Sequence, residues 1–122
     1  MAFVLVVDDD PVFREIARAM LHSGGHEVAT AEDGVKALKV VEARPPDLAV
    51  VDMLMPNRDG IETLGDLRRR WPQVKVIIVS AGARLLDADA LLHSARALGA
   101  DATLGKPLQK ASFLELVASL VA

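Results

Sequence analysis

No cysteine occurs in the 122 residues, which removes disulfides, iron–sulfur clusters and thiolate zinc sites and leaves no thiol for redox chemistry. Tyrosine is absent too, and aromatic residues make up only 3% of the chain, so the sequence advertises no aromatic contact surface. Long apolar runs are missing. The first apolar stretch is short and ends in an acidic cluster, and no later one approaches the ~20 residues that a membrane span needs. We therefore expect a cytoplasmic protein with no membrane partner. Basic residues are scattered apart from Arg68, Arg69 and Arg70, and the formal charge is −3, so no electrostatic footprint for a phosphate backbone is present. Direct nucleic-acid binding is not expected. Repeats, low-complexity tracts and interdomain linkers are lacking as well, and the length suits one domain with one hydrophobic core, taken here as residues 1–122.

What is present is an alternation of two periods. Phe3 to Val7, Leu48 to Val51 and Val76 to Val79 are short, almost unbroken, mostly β-branched apolar runs, the pattern of strands buried on both faces of a parallel sheet. His26 to Thr30 and Ala102 to Gly105 are more mixed and suit flanking strands. Between them the apolar spacing becomes helical. Phe13, Ile16, Ala17 and Met20 form one face; Ala37, Leu38 and Val41 mark a second helix; Ile61, Leu64, Leu67 and Trp71 a third; Leu91, Ala95 and Leu98 a fourth; and Phe113, Leu116, Val117 and Leu120 a fifth. Asp10-Pro11 reads as an N-cap with proline at the first helical position. Gly24-Gly25 and Gly99 read as left-handed helix stops, and Pro45-Pro46 and Pro72 as breaks. Strict alternation predicts an α/β fold: a doubly wound sandwich around a parallel five-stranded sheet.

In such sheets ligands bind beyond the carboxyl ends of the strands. Asp8, Asp9 and Asp10 follow the first strand, Asp52 ends the third, Ser80 ends the fourth, and Lys106-Pro107 follows the fifth. Carboxylates gathered at one edge repel, each pair by on the order of 4 kcal/mol at ~4 Å and an effective dielectric of ~20. A divalent cation relieves that repulsion, and an all-oxygen donor set selects Mg²⁺. Asp52 can then act as a nucleophile toward a phosphoryl group, with Lys106 neutralising the equatorial oxygens and Ser80 bonding one of them. The plainer readings are a turn-forming role for Asp52 and a cap for Asp10, the latter outweighing a ligand role; Asp59-Gly60 would start the third helix. His22, His26 and His93 show no ligand spacing and read as surface residues, while Trp71 and the methionines read as filling.

These residues closely resemble the receiver domain of two-component response regulators, over the whole chain. Val4 to Pro11 is similar to the family's first strand with its acidic pair, Asp8 and Asp9. Asp52 to Gly60 is similar to its phosphoacceptor segment, with Met55-Pro56 and Gly60 shaping the loop. Val79-Ser80-Ala81, Gly99-Ala100-Asp101 and Lys106-Pro107 complete the match. The resemblance implies a flavodoxin-like (βα)5 sandwich with strand order 2-1-3-4-5. It further implies a phosphohistidine donor on a histidine kinase or histidine phosphotransfer protein, an unidentified downstream target, required Mg²⁺ with the carbonyl of Leu54 among its ligands, and a cis peptide before Pro107. Such a domain catalyses only its own phosphorylation and dephosphorylation. The family's usual aromatics in the fifth strand and after Lys-Pro are replaced by Thr103 and Leu108, and the segment Ala81 to Ala90, with Arg84, Leu85 and Leu86, runs longer than usual. That loop is expected to reorder in place of the aromatic. Leu54 and Gly82, flanking the attacking water, imply slow self-dephosphorylation. A stand-alone regulator is expected. Two alternatives stand beside this reading: a phosphohydrolase of the haloacid dehalogenase type, disfavoured by Leu54 in place of a second Asp, and a receiver-like module that is never phosphorylated.

Overall fold

The computed structural model describes residues 1–53, 60–80 and 97–122. Five strands, β1 (Phe3–Val7), β2 (Glu27–Ala31), β3 (Leu48–Asp52), β4 (Lys75–Ser80) and β5 (Ala102–Gly105), form one sheet in the order β2-β1-β3-β4-β5. Every pairing is parallel. The helices among the described residues are α1 (Pro11–Ser23), α2 (Gly34–Ala43), α3 (Gly60–Arg70) and a C-terminal helix, Lys110–Val121. This is the flavodoxin-like order expected from the sequence. The fourth predicted helix, around Leu91 to Leu98, falls largely outside the described residues.

Burial follows from the apolar runs. β1 and β3 are buried along their whole length, whereas β2 and β5 at the sheet edges are half-exposed. Alternate residues of the central strands feed two cores: Leu5, Val7, Val51, Val76 and Ile78 pack with α2 and α3, and Val4, Val6, Val50, Ile77 and Val79 pack with α1 and the C-terminal helix. Each fully buried Val, Leu or Ile contributes roughly 1.5–3 kcal/mol. The buried sheet thus fixes where the residues just past its strands stand.

The caps act where the sequence placed them. The Asp10 side chain accepts from the Val12 N–H (2.9 Å) with Pro11 at the first helical position, and Gly25 takes the left-handed conformation (φ +86°) just after α1. Two expectations need correction. The buried stripe of α1 is Phe13, Ala17 and Leu21, an i, i+4, i+8 row, while Ile16 is 47% exposed and Met20 only half-buried. Nor is His26 a plain surface residue: it is half-buried, and its Nδ1 accepts the Ala2 N–H at 3.1 Å, joining the starts of β1 and β2.

Candidate functional site

Strand register assembles the site. Val7 stands opposite Val51, so Asp8, one residue on, comes alongside Asp52. Ser80 stands opposite Gly105, and the Lys106 N–H donates to the Ser80 carbonyl at 2.8 Å, which carries Lys106 to the same edge. β1 is flanked by β2 on one side and β3 on the other, so this edge is also where the strand order reverses.

Carboxylate oxygens of Asp8, Asp9 and Asp52 lie within 4.8 Å of one another. Asp8 is fully buried, Asp52 nearly so, and Asp9 is exposed. Asp8 is held on every side: Oδ1 accepts the Asp10 N–H (2.8 Å), Oδ2 accepts from Lys106 Nζ (2.8 Å), and its backbone carbonyl accepts from Arg14 Nη1 (2.7 Å). Lys106 Nζ stands farther from Asp52 Oδ1, at 3.5 Å, and lies 4.3 Å from the centre of the Phe13 ring. Ser80 is buried at the end of β4.

Electrostatics single out Asp52. Burial, and then the charge of Asp8, push its carboxyl up from an ordinary value near 3.8 to about 6; the attraction of Lys106 offsets only part of this. For Lys106, burial is the largest influence and opposes its charge, but the hydrogen bond to Asp8 and the attraction of Asp52 outweigh it, and its pKa is raised. The site therefore has more negative charge than one ammonium balances. Three converging hard oxygen donors with surplus negative charge fit a divalent cation of the Mg²⁺ type.

Gly60 is fixed by close approach. A Cβ there would lie 2.2 Å from the Asp52 carbonyl oxygen, so only glycine lets α3 begin against the end of β3. The Lys106-Pro107 peptide is cis, as expected. Thr103 and Leu108 are half-buried, and Leu108 packs against the core formed with α1 and the C-terminal helix. Leu54, Met55-Pro56, Asp59, Gly82, the segment from Ala81 to Ala90 and His93 lie outside the described residues, as do the roles expected of them. Sequence reasoning brought Asp8, Asp9, Asp52, Ser80 and Lys106 to one edge, and the structure does the same. It missed Phe13 and Arg14, whose signal was their place in the first turns of the helix that directly follows the acidic loop. No helix among the described residues is long and apolar enough to cross a membrane.

Residues 4–118 match the protein family described as response regulator receiver domain. The chain is 34% identical over 118 residues to response regulator MprA of Mycobacterium sp. (strain KMS), covering 97% of this chain and 50% of that protein. It is 36% identical over 114 residues to transcriptional regulatory protein KdpE of Mycobacterium tuberculosis (strain CDC 1551 / Oshkosh), covering 93% and 48%. Among solved structures, the receiver domain of NtrX from Brucella abortus superposes with a TM-score of 0.89 at 26% identity, covering 97% of both chains. The receiver domain of Francisella response regulator 1452 gives 0.88 at 30% identity, covering 99% of this chain and 97% of that one. The chain spans about half the length of the curated relatives it matches, which lends no support to the stand-alone expectation.

Proposed function

Because this chain belongs to the response regulator receiver family, whose members are phosphorylated by histidine kinases, we propose that it works in phosphorelay signalling by accepting a phosphoryl group on Asp52 and that residues 1–122 form one receiver domain. The observation that carries this reading is the placement of Asp52, nearly buried, beside the acidic pair Asp8 and Asp9 on one side and the Lys106 ammonium 3.5 Å away on the other.

Asp8, Asp9 and Asp52 would hold Mg²⁺, together with the Leu54 carbonyl. When bound, the ion supplies positive charge that lowers the repulsion among the carboxylates and stabilises charge on the phosphoryl oxygens. The chain's own residues do the rest. A carboxylate oxygen of Asp52 forms the new O–P bond while the N–P bond of a phosphohistidine breaks. The electron pair stays on the imidazole, which leaves neutral when its other nitrogen carries a proton. The product is an acyl phosphate. Lys106, already charged and hydrogen-bonded to Asp8, is close enough to transfer its attraction to the new phosphoryl oxygens, and the Ser80 hydroxyl at the end of β4 is the donor for one of them. Asp8 stays fixed by Asp10 and Arg14 while this happens.

The donor is a phosphohistidine on a histidine kinase or phosphotransfer protein, and the outcome is altered binding of a downstream protein, with no direct nucleic-acid contact by these residues. The setting is cytoplasmic. Incubation with acetyl phosphate and Mg²⁺, followed by peptide mapping, tests the reading. Modification at residue 52 that disappears in Asp52→Asn is the expected result. Absence of any adduct would leave a non-phosphorylated interaction module, and sustained turnover of p-nitrophenyl phosphate would mean a phosphohydrolase.

A further inference from the structure

We infer that Phe13 is a positioning residue for Lys106: its ring face holds the ammonium group at the site edge without offering an oxygen that competes with the phosphoryl group. This inference rests on the phosphoacceptor reading of Asp52 and deepens it.

Among the described residues two carboxylates and one ring stand close to the Lys106 ammonium. Asp8 accepts from it at 2.8 Å, Asp52 stands at 3.5 Å, and the Phe13 ring centre lies 4.3 Å away. Both carboxylates compete with a phosphoryl group for the ammonium, since each draws it through an N–H···O contact. The ring attracts it differently, through the negative face of its quadrupole, an interaction that strengthens when water is excluded. Water is partly excluded here. Phe13 is 9% exposed and belongs to the core between the sheet, α1 and the C-terminal helix, and the Lys106 side chain is 22% exposed.

The ring has little freedom to leave. Phe13 begins the buried row of α1, which continues through Ala17 and Leu21, and α1 is fixed at its start by the Asp10 cap. A rigid aromatic face thus stands beside a flexible four-carbon stem. Burial opposes the charge of Lys106, and the ring face 4.3 Å away answers part of that cost without presenting an oxygen. When Asp52 becomes phosphorylated, the ammonium has to turn from Asp8 toward the new oxygens. The ring lets it pivot over an apolar surface while remaining attracted throughout. Aromatic residues are few in this chain, and the one that touches the site touches it through the lysine.

The test measures the phosphorylation rate by acetyl phosphate with saturating Mg²⁺ in the wild type, Phe13→Leu, Phe13→Tyr, Lys106→Met and the double variant Phe13→Leu/Lys106→Met. Leucine keeps part of the apolar volume and removes the π face, and the double variant separates the two effects. We expect Phe13→Leu to lower the saturating rate about 3- to 20-fold with an unchanged half-saturating donor concentration, and Phe13→Tyr to stay within about 2-fold of wild type. Phe13→Leu added to Lys106→Met is expected to slow the reaction no further. An unimpaired Phe13→Leu, or an equal loss with and without Lys106, overturns the inference by reducing Phe13 to packing. If Phe13→Tyr does not fold, the double variant decides alone. A wild type that acquires no label at residue 52 overturns the phosphoacceptor reading itself, and this inference with it.

Discussion

Acidic and basic side chains gather at both ends of the sheet, but they are used in opposite ways. At the amino ends of the strands several of them bond to backbone groups or to an opposite charge. Asp47 accepts the Phe3 N–H at 2.8 Å, Asp101 accepts the Val76 N–H at 2.8 Å, His26 accepts the Ala2 N–H, and Arg44 pairs with Glu27 over the Phe3 ring. Each bond ties the start of one strand to another part of the chain. At the carboxyl ends, three carboxylates face one another, and among the described residues Lys106 pairs with two of them, Asp8 and Asp52. One end ties strands to the rest of the chain through paired groups; the other is short of positive charge, which on the proposed function a bound cation would supply. The same residue type thus clamps a strand where a backbone N–H stands opposite and, on the proposed function, serves the site where another carboxylate does.

Neutralising one carboxylate at each end separates the two roles most clearly. Asp52→Asn is expected to abolish phosphoryl acceptance, whereas Asp47→Ala leaves the rate unchanged, as read by mass-spectrometric labelling with acetyl phosphate. Next in size is Lys106→Met, which removes the counter-charge from fully buried Asp8. Without added cation it is expected to destabilise the fold by about 3 kcal/mol in urea titrations, with Mg²⁺ restoring much of the loss. A variant equally unstable with and without Mg²⁺ would contradict the charge argument. Gly60→Ala forces apart α3 and the end of β3, since the added carbon meets the Asp52 carbonyl oxygen. A loss of about 2 kcal/mol, with slower phosphorylation, is the expected outcome.

The smallest effect carries the clearest sign. A carboxyl whose pKa is higher in the folded chain, about 6 against 3.8 for Asp52, binds its proton more tightly folded than unfolded. Its burden on stability is therefore absent below pH ~4, grows as pH rises toward ~6, and is full above that. The shift sets a ceiling of about 3 kcal/mol, which partial solvent access reduces to about 1–2 kcal/mol. Asp52→Asn should accordingly stabilise the ion-free protein by about 1–2 kcal/mol near neutral pH and by nothing near pH ~4. Asp47→Ala should destabilise it by about 1–2 kcal/mol, because the Phe3 N–H loses its acceptor.

The sequence made the functional end easier to read than the structural one. Strands buried on both faces write themselves as nearly continuous apolar runs, so the residues just past Val7, Val51, Val79 and Gly105 stood out. The amino-end clamps gave no such signal, because Asp47 with Phe3, Asp101 with Val76 and His26 with Ala2 pair a side chain with a backbone group 44, 25 and 24 residues away. Periodicity also misjudged the rotation of α1. An apolar residue on a helix fits more than one face, and packing exposed Ile16 while burying Leu21. Lys106 was legible as a site residue, but its closer attachment to Asp8 than to Asp52, and the ring beneath it, depend on distances no spacing encodes.

Calorimetric titration of Mg²⁺ into the wild type and Asp52→Asn near neutral pH tests most directly whether the carboxyl end of the sheet is an incomplete charge cluster. Saturable binding to the wild type, accompanied by a raised thermal midpoint, and much weaker binding to Asp52→Asn are expected. Equal affinity for both proteins, or no binding to either, would contradict the incomplete charge cluster.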